Sequence, residues 1–446
     1  MNSPEPYRPA LHFSPRSGWM NDPNGLIRVD GIWHIFYQHE PHSTVHGPMH
    51  WGHASSPDLT TWIEHPIALY PDALGTCFSG SAIETLSGEI KLFYTAHRTQ
   101  PDGSDFQLQC LVHADRALTR FTPDQHNPIV GNPGLPVFRD PKVFWHAQTQ
   151  RWIMVVTHGQ SIGIRSSADL VRWELESTFG EHDGQHGDGP WECPDLFPLQ
   201  APDGTTHWVL MVGIGSDSYG GGSGTQYFIG AFDGRSFVNG NPPETVLWAD
   251  HGRDYYAAQS FFGAERPTTI AWASNWQYAR NVPTTAFRGV MTLPRELSLI
   301  DSQYGLRLKQ KVPAAVSARF ELLTSGQTPT SGTYRLRLCW NHSGELKVSL
   351  FGSTEPHFVV SRRGDAVHVR TMRRDTHSIA GLAHDYSMEL AAHVDHIDIF
   401  VDNGLVELLA QDGLVCITNL HFPSNPSGDV QVEVNKLEAA EGHVSG

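Results

Sequence analysis

The chain has 446 residues, 39% of them hydrophobic, with 13 Trp, 21 Phe and 12 Tyr, and 42 Gly and 30 Pro punctuate its length. That is too long for one ordinary core, and aromatic-rich segments broken by Gly and Pro predict an all-β protein with a large domain followed by a smaller one. With 31 basic against 47 acidic residues the formal charge is −16, a field that repels phosphate backbones and anionic lipid but not a neutral substrate, so nucleic acid and membrane are excluded as expected partners.

The opening stretch MNSPEPYRPALHF has neither a basic n-region nor an apolar h-region, and no later stretch reaches the roughly 18 apolar residues of a membrane span. A soluble, unexported, cytoplasmic protein is therefore expected. Cys77, Cys110, Cys193, Cys339 and Cys416 agree: they are odd in number, scattered and without CxxC spacing, so neither a disulfide framework nor a zinc site is indicated.

The first distinctive segment is WMNDPNG (Trp19 to Gly25), which taken alone is a strong type I turn sequence. After it one motif recurs: SSPDLTTW ends at Trp62 and SSADLVRW at Trp173, with looser relatives HADRALTRF ending at Phe121 and GAFDGRSF at Phe237. Steps of 59, 52 and 64 residues hold about four strands with turns, the content of one propeller blade, although S-x-D-L-x-x-W also reads as a common strand-end turn. A second series, Asp22, Ser79, Asp140, Glu192 and Tyr256, advances by 57, 61, 52 and 64 residues. If each lies on the first strand of its blade, five sheets converge on a central channel and distant carboxylates become neighbours. The predicted fold is a five-bladed β-propeller over residues 1–303.

Two of these positions lie in further acidic motifs, FRDP (Phe138 to Pro141) and WECPD (Trp191 to Asp195), each with an acid beside aromatic residues and before a proline. Charged groups next to apolar rings are costly unless used or paired. After LPRELSL (Leu293 to Leu299) the texture changes, and 304–316 (GLRLKQKVPAA at its centre) reads as a connector limited by Pro313. Period-2 runs follow at Tyr334 to Trp340, Glu345 to Leu350, Ala366 to Arg370, His396 to Val401, Leu405 to Ala410 and Val430 to Val434, predicting a C-terminal β-sandwich over 317–446. Dimerisation, as a homodimer, is one use for such a domain; stability and sugar binding are others.

WMNDPNG, FRDP and WECPD, in this order and at these separations, resemble the three acidic motifs of glycoside hydrolase family 32, the β-fructofuranosidases that include invertases, inulinases and levanases. WHIFYQ (Trp33 to Gln38), MHWGHA (Met49 to Ala54), GTCFSGSA (Gly75 to Ala82), DYYAAQSF (Asp254 to Phe261) and WASNWQYA (Trp272 to Ala279) resemble its substrate-lining segments. The resemblance is strong from Tyr7 to Leu299 and only a matter of pattern beyond. It implies a propeller followed by a sandwich and a retaining double displacement on terminal β-D-fructofuranosyl linkages of sucrose and fructans. Carried over residue by residue, Asp22 is the nucleophile, Glu192 the general acid and base, and Asp140, with Arg139 nearby, holds fructose hydroxyls and stabilises an oxocarbenium-like transition state.

That chemistry needs Asp22 ionised while Glu192 carries a proton. Like charges at short range push two carboxyl pKa values apart, and the Trp191 indole is expected to add desolvation at the acid. Trp51, Phe78, Trp276 and Tyr256 are open to two readings, inter-blade packing or cover for the apolar sugar face. In the functional reading Asn21, Gln38, Ser79 and Asp254 bond to sugar hydroxyls. Cys193 is expected to be a small buried hydrophobe rather than a reactant. Among the 26 His, including His46, His50 and His53, no HxxxH or HExxH spacing argues for metal, and no cofactor is expected. Fructosyl transfer shares the covalent intermediate. A lectin-like propeller would tolerate loss of an acid, and an inverting arabinan-cleaving propeller would lack WMNDPNG and hold its carboxyls about 6.5 to 9.5 Å apart instead of about 5 to 5.5 Å.

Overall fold

The structure, a computed structural model, describes residues 5–323, 327–339, 344–363, 366–374, 377–390 and 396–436. Five antiparallel sheets come first, each built outward from an inner strand: Gly18–Val29, Thr76–Glu84, Phe138–His146, Trp191–Gln200 and Tyr256–Ser260. These are the five strands that carry Asp22, Ser79, Asp140, Glu192 and Tyr256. The chain forms a five-bladed propeller followed by a β-sandwich. A short parallel pairing of Phe287–Arg288 with Gly18 and Trp19 ties the segment after the second strand of the last blade to the first blade. The second strands are apolar on both faces, as strands covered by neighbouring sheets must be: along Arg151–His158, Ile153 and Val155 pack toward the fourth blade and Met154 and Val156 toward the second.

The recurring motif is both things the sequence suggested. In the first four blades it is the turn from third to fourth strand, between Ser56 and Ile63, Ala114 and Phe121, Ser167 and Glu174, and Phe232 and Phe237. In each turn an aspartate accepts backbone N–H groups that the ladder has released: Asp58 from Thr60 and Thr61, Asp115 from Thr119 and Arg120, Asp169 from Val171 and Arg172, Asp233 from Arg235 and Ser236.

The expected connector is corrected. Gly305–Lys311 is the outermost strand of the fifth blade, paired along its whole length with Arg295–Ser302. Its alternation was hidden by charge, because Leu308 and Gln310 turn inward between Arg307, Lys309 and Lys311. The link to the next domain is shorter and contains one helical turn, Ala314–Ser317, entered at Pro313. The sandwich then stacks two five-stranded sheets, with Leu336, Ile399 and Leu408 on one side of the core and Val348, Val360 and Val369 on the other. The expected runs fall on observed strands. Glu321–Leu323, Phe358–Arg363, His384–Leu390 and Val415–Leu420 are additional. Trp340 and the outermost residues of the expected domains, 1–4 and 437–446, lie outside the described residues.

Propeller and sandwich meet over a buried ionic network. Arg295 on the fifth blade donates to Glu407 of the sandwich and, at 2.9 Å, to Asp250, while Asp250 also accepts from the Thr418 hydroxyl at 2.7 Å. His12 bridges Asp402 at 2.8 Å and Glu407 at 3.0 Å with both ring nitrogens. Burial works against the imidazolium, but the hydrogen bonds and charges of the two carboxylates hold its pKa up at about 9. A histidine raised in the folded state adds stability that is complete below its ordinary value near 6.5 and lost as pH rises through 9, about 3 kcal/mol over that window. We expect Tm to fall between pH 6.5 and 9 and His12→Gln to be less stable at pH 6 with a flat profile across that window. A wild-type Tm that does not change between those pH values would contradict the pairing.

Candidate active site

Each inner strand breaks register where its predicted residue sits. The interruptions lie between Met20 and Pro23 and between Asn24 and Ile27, between Phe78 and Gly80, opposite Arg139 to Lys142, between Glu192 and Asp195, and between Tyr256 and Gln259. Three of these bulges place a non-glycine residue at positive φ: Asp140 (64°), Cys193 (49°) and Ala257 (55°). Such backbone costs on the order of 1 kcal/mol or more per residue and persists where surrounding structure imposes it. Here the Asp140 N–H donates to Thr95 Oγ at 3.0 Å and the Cys193 N–H to Asp140 Oδ2 at 2.9 Å, so each blade fixes the bulge of the next. A bulge bends the strand and re-aims side chains, which brings acids from separate sheets to the channel mouth.

There hydrogen bonds and one ion pair through Arg139 link the carboxyl groups. Asp22 accepts from Ser79 Oγ at 2.7 Å, Asn21 Nδ2 at 3.0 Å and the Cys193 thiol at 3.4 Å. The same thiol lies 3.6 Å from Asp140 Oδ2. Glu192 accepts from Arg139 Nη2 at 2.6 Å and from the Tyr256 hydroxyl, and Arg139 Nε is 4.0 Å from Asp140. Asp22, Glu192 and Arg139 keep partial exposure to the channel while Asn21, Ser79 and Asp140 lie beneath. Gly213 leaves the Tyr256 ring its room, since a Cβ there would sit 2.9 Å from it.

Burial and then the charge of Glu192 raise the Asp22 pKa, against the three donors that stabilise its carboxylate. Asp140 is raised to about 7, by burial first and by the charges of Glu192 and Asp22, with Arg139 opposing. Burial and the nearby carboxylates keep the Cys193 thiol and the Tyr256 phenol protonated, so both are neutral donors, and Glu192 with Asp140 keeps Arg139 charged against the desolvation of its surroundings. A carboxyl raised in the folded state contributes stability that is complete below its ordinary value and lost as pH rises through about 7. Asp140→Asn, neutral throughout, should therefore be more stable than wild type at pH 8, by at most about 4 kcal/mol, but not at pH 4, while lowering turnover. Thermal denaturation at the two pH values checks it, and an equal change at both would reject the raised carboxyl.

Several expectations are corrected. Asp254 does not reach the cluster: it is fully buried at the domain interface, accepting from Arg373 at 2.6 Å, the Leu420 N–H at 2.8 Å and the Tyr278 hydroxyl at 2.5 Å. It precedes the strand that begins at Tyr256 and is claimed by the sandwich. Trp191 does not desolvate the Glu192 carboxyl; it points into the core between the third and fourth blades and donates to Gln185 O, because neighbours on a strand face opposite ways. Trp51 has no exposed surface and packs beside Phe36 and Tyr94, with Nε1 bonded to Phe78 O.

Phe78, stacked on His97, and Trp276, stacked on Trp19, retain exposed faces. Gln38 is buried, both amide hydrogens engaged by Asn24 Oδ1 and Cys77 O, which leaves its carbonyl oxygen for a ligand. Cys193, expected to be inert, touches both aspartates. Its place next to Glu192 was the available signal, masked by the usual behaviour of buried thiols.

Residues 12–311 match the glycosyl hydrolases family 32 N-terminal domain and residues 293–445 the family 32 C-terminal. A levanase from Bacillus subtilis is 44% identical over 69% of this chain, which spans 47% of that enzyme's length. An extracellular exo-inulinase from Aspergillus niger is 32% identical over 95% of this chain and 91% of its own. Among solved structures, the exo-inulinase of Aspergillus awamori superposes with a TM-score of 0.81 at 29% identity, covering 98% of this chain and all of its own, and the β-fructofuranosidase of Schwanniomyces occidentalis with 0.82 at 28%, covering 98% and 96%. With both halves matched in order along almost the whole chain, this protein belongs to glycosyl hydrolase family 32.

Proposed function

We propose that the chain releases terminal β-D-fructofuranosyl residues from sucrose and fructans by a retaining double displacement. The observation that carries this is the convergence of three carboxyl groups from three blades on one cluster, Asp22 and Asp140 sharing the Cys193 thiol and Arg139 standing between Asp140 and Glu192. Asp22, ordered by Ser79, Asn21 and Cys193, attacks the anomeric carbon. Glu192, oriented by Arg139 and Tyr256, protonates the departing oxygen. Asp140 binds fructose hydroxyls, and as positive charge spreads over the ring its interactions strengthen.

Once Asp22 is esterified its charge is gone from the cluster, and Glu192 takes a proton from water as the ester is hydrolysed. Burial and the charges of its neighbours raise Asp140 to about 7, so kcat/KM should decline as pH rises above about 7 and the proton held there is lost. Fructosyl transfer differs only in which hydroxyl intercepts the ester. The names of the relatives, levanase, exo-inulinase and β-fructofuranosidase, support hydrolysis. Free fructose and glucose released from sucrose, kestose, inulin and levan test the reading: equal fructose and glucose from sucrose are expected, and a strong excess of glucose would establish transfer instead.

A further inference from the structure

A groove of about 530 Å³ lies between the third strand of the fourth blade, the hairpin that ends the fifth blade and the sandwich, and it shares no lining residue with the carboxyl cluster. Its walls are unlike an ordinary domain seam. Trp248 is half-buried, packed against the core between the third and fourth blades, and Tyr304 at the hairpin turn is 64% exposed. Asp301, Glu389 and Arg307 line the same space, and none of the three is in an ion pair among the described residues.

We propose that this groove is a second carbohydrate site, holding a distal stretch of a neutral fructan chain whose end occupies the catalytic pocket; the proposal rests on the function proposed above. Indole and phenol rings suit the C–H faces of sugars, and unpaired carboxylates and a guanidinium suit vicinal hydroxyls. The volume lies in the range of small-ligand sites, and the acidic field of the whole chain disfavours an anionic polymer.

Continuity with the catalytic pocket supports a chain-like occupant. Ser223 Oγ accepts from the Trp276 N–H at 3.1 Å and Gly221 O accepts from Asn275 Nδ2 at 3.0 Å, so the loop before Gly224 is fastened to the pocket wall. The same loop carries Tyr219, 41% exposed, whose ring lies 4.9 Å from that of His251, and His251 lines the groove. The loop thus joins the wall that carries Trp276 to the Tyr219 and His251 rings at the edge of the groove. A polymer held there presents its end to the site at raised effective concentration, while sucrose is too short to benefit.

Tyr304→Ala and Trp248→Ala, alone and together, should raise KM for levan or inulin about fivefold or more and leave kcat/KM for sucrose within about twofold. Native gels containing levan or inulin supply an independent readout: the mobility of Asp22→Asn should be retarded, and adding Tyr304→Ala should relieve it. Should Trp248→Ala fail to fold, Tyr304→Ala and Glu389→Gln, both at exposed positions, carry the test. Unchanged polymer KM and retardation, or equal losses on sucrose and polymer, would overturn the proposal. A shift in mass by light scattering on Tyr304→Ala would assign the groove to a second copy of the chain and overturn it as well. Absence of fructose release by the wild type with retardation intact would reject the catalytic reading and leave the groove standing.

Discussion

Asp22→Asn is expected to lower fructose release from sucrose by roughly 10⁴-fold with little change in fold, because the substituted amide keeps the shape of the carboxylate but cannot form the ester. Glu192→Gln should lose about 10² to 10⁴-fold on sucrose, whose leaving alkoxide needs a proton. The two variants separate on a donor with a good leaving group, such as fructosyl fluoride. Glu192→Gln should recover the first step there, and azide should then intercept the fructosyl ester that the variant hydrolyses slowly. Asp22→Asn should recover nothing. Steady-state rates on both donors and mass spectrometry of trapped protein are the measurements. Activity of Asp22→Asn within tenfold of wild type would end the assignment of the nucleophile.

The second large effect is on stability. Arg295 is fully buried and is shared by Asp250, Glu407 and the Thr418 hydroxyl, and burial of both acids is tolerable only with that cation present. Arg295→Met should cost about 3 to 5 kcal/mol, the range for a buried pair deprived of one partner. Adding Glu407→Gln should return part of that loss, since one of the stranded charges is then gone. Denaturant unfolding of the single and double variants reads both numbers. A loss below about 1 kcal/mol for Arg295→Met would show that the network does not join the two domains.

Much of this arrangement was legible because some physical demands act locally. A turn that closes a blade must satisfy the N–H groups released from the ladder, so an aspartate at fixed spacing from an apolar residue marks blade after blade at Asp58, Asp115, Asp169 and Asp233. A carboxylate beside aromatics and before proline is conspicuous because it is costly, which is why Asp22, Asp140 and Glu192 stood out. The strand of the fifth blade from Gly305 to Lys311 was less legible. Its inward residues include Gln310, whose burial is made tolerable because Arg295 donates to its carbonyl oxygen and its own amide donates to Ala249 O.

By itself the sequence determined the all-β character, the number of blades, the order of the two domains and the three acids, since all of these follow from patterns within reach of a single turn or strand. Only the tertiary structure decided how the acids are used. The bulges at Asp140 and Cys193 turn those residues toward Asp22; aspartate tolerates positive φ better than cysteine, but in both cases the contacts of the neighbouring blade impose it. Asp254 and Asp140 are both aspartates near aromatic residues, yet one is claimed by Arg373 from a distant sheet and the other by Arg139 at the channel. A side chain's partners come from whichever surface folds against it, and charges are valued by the burial and neighbours that this contact imposes.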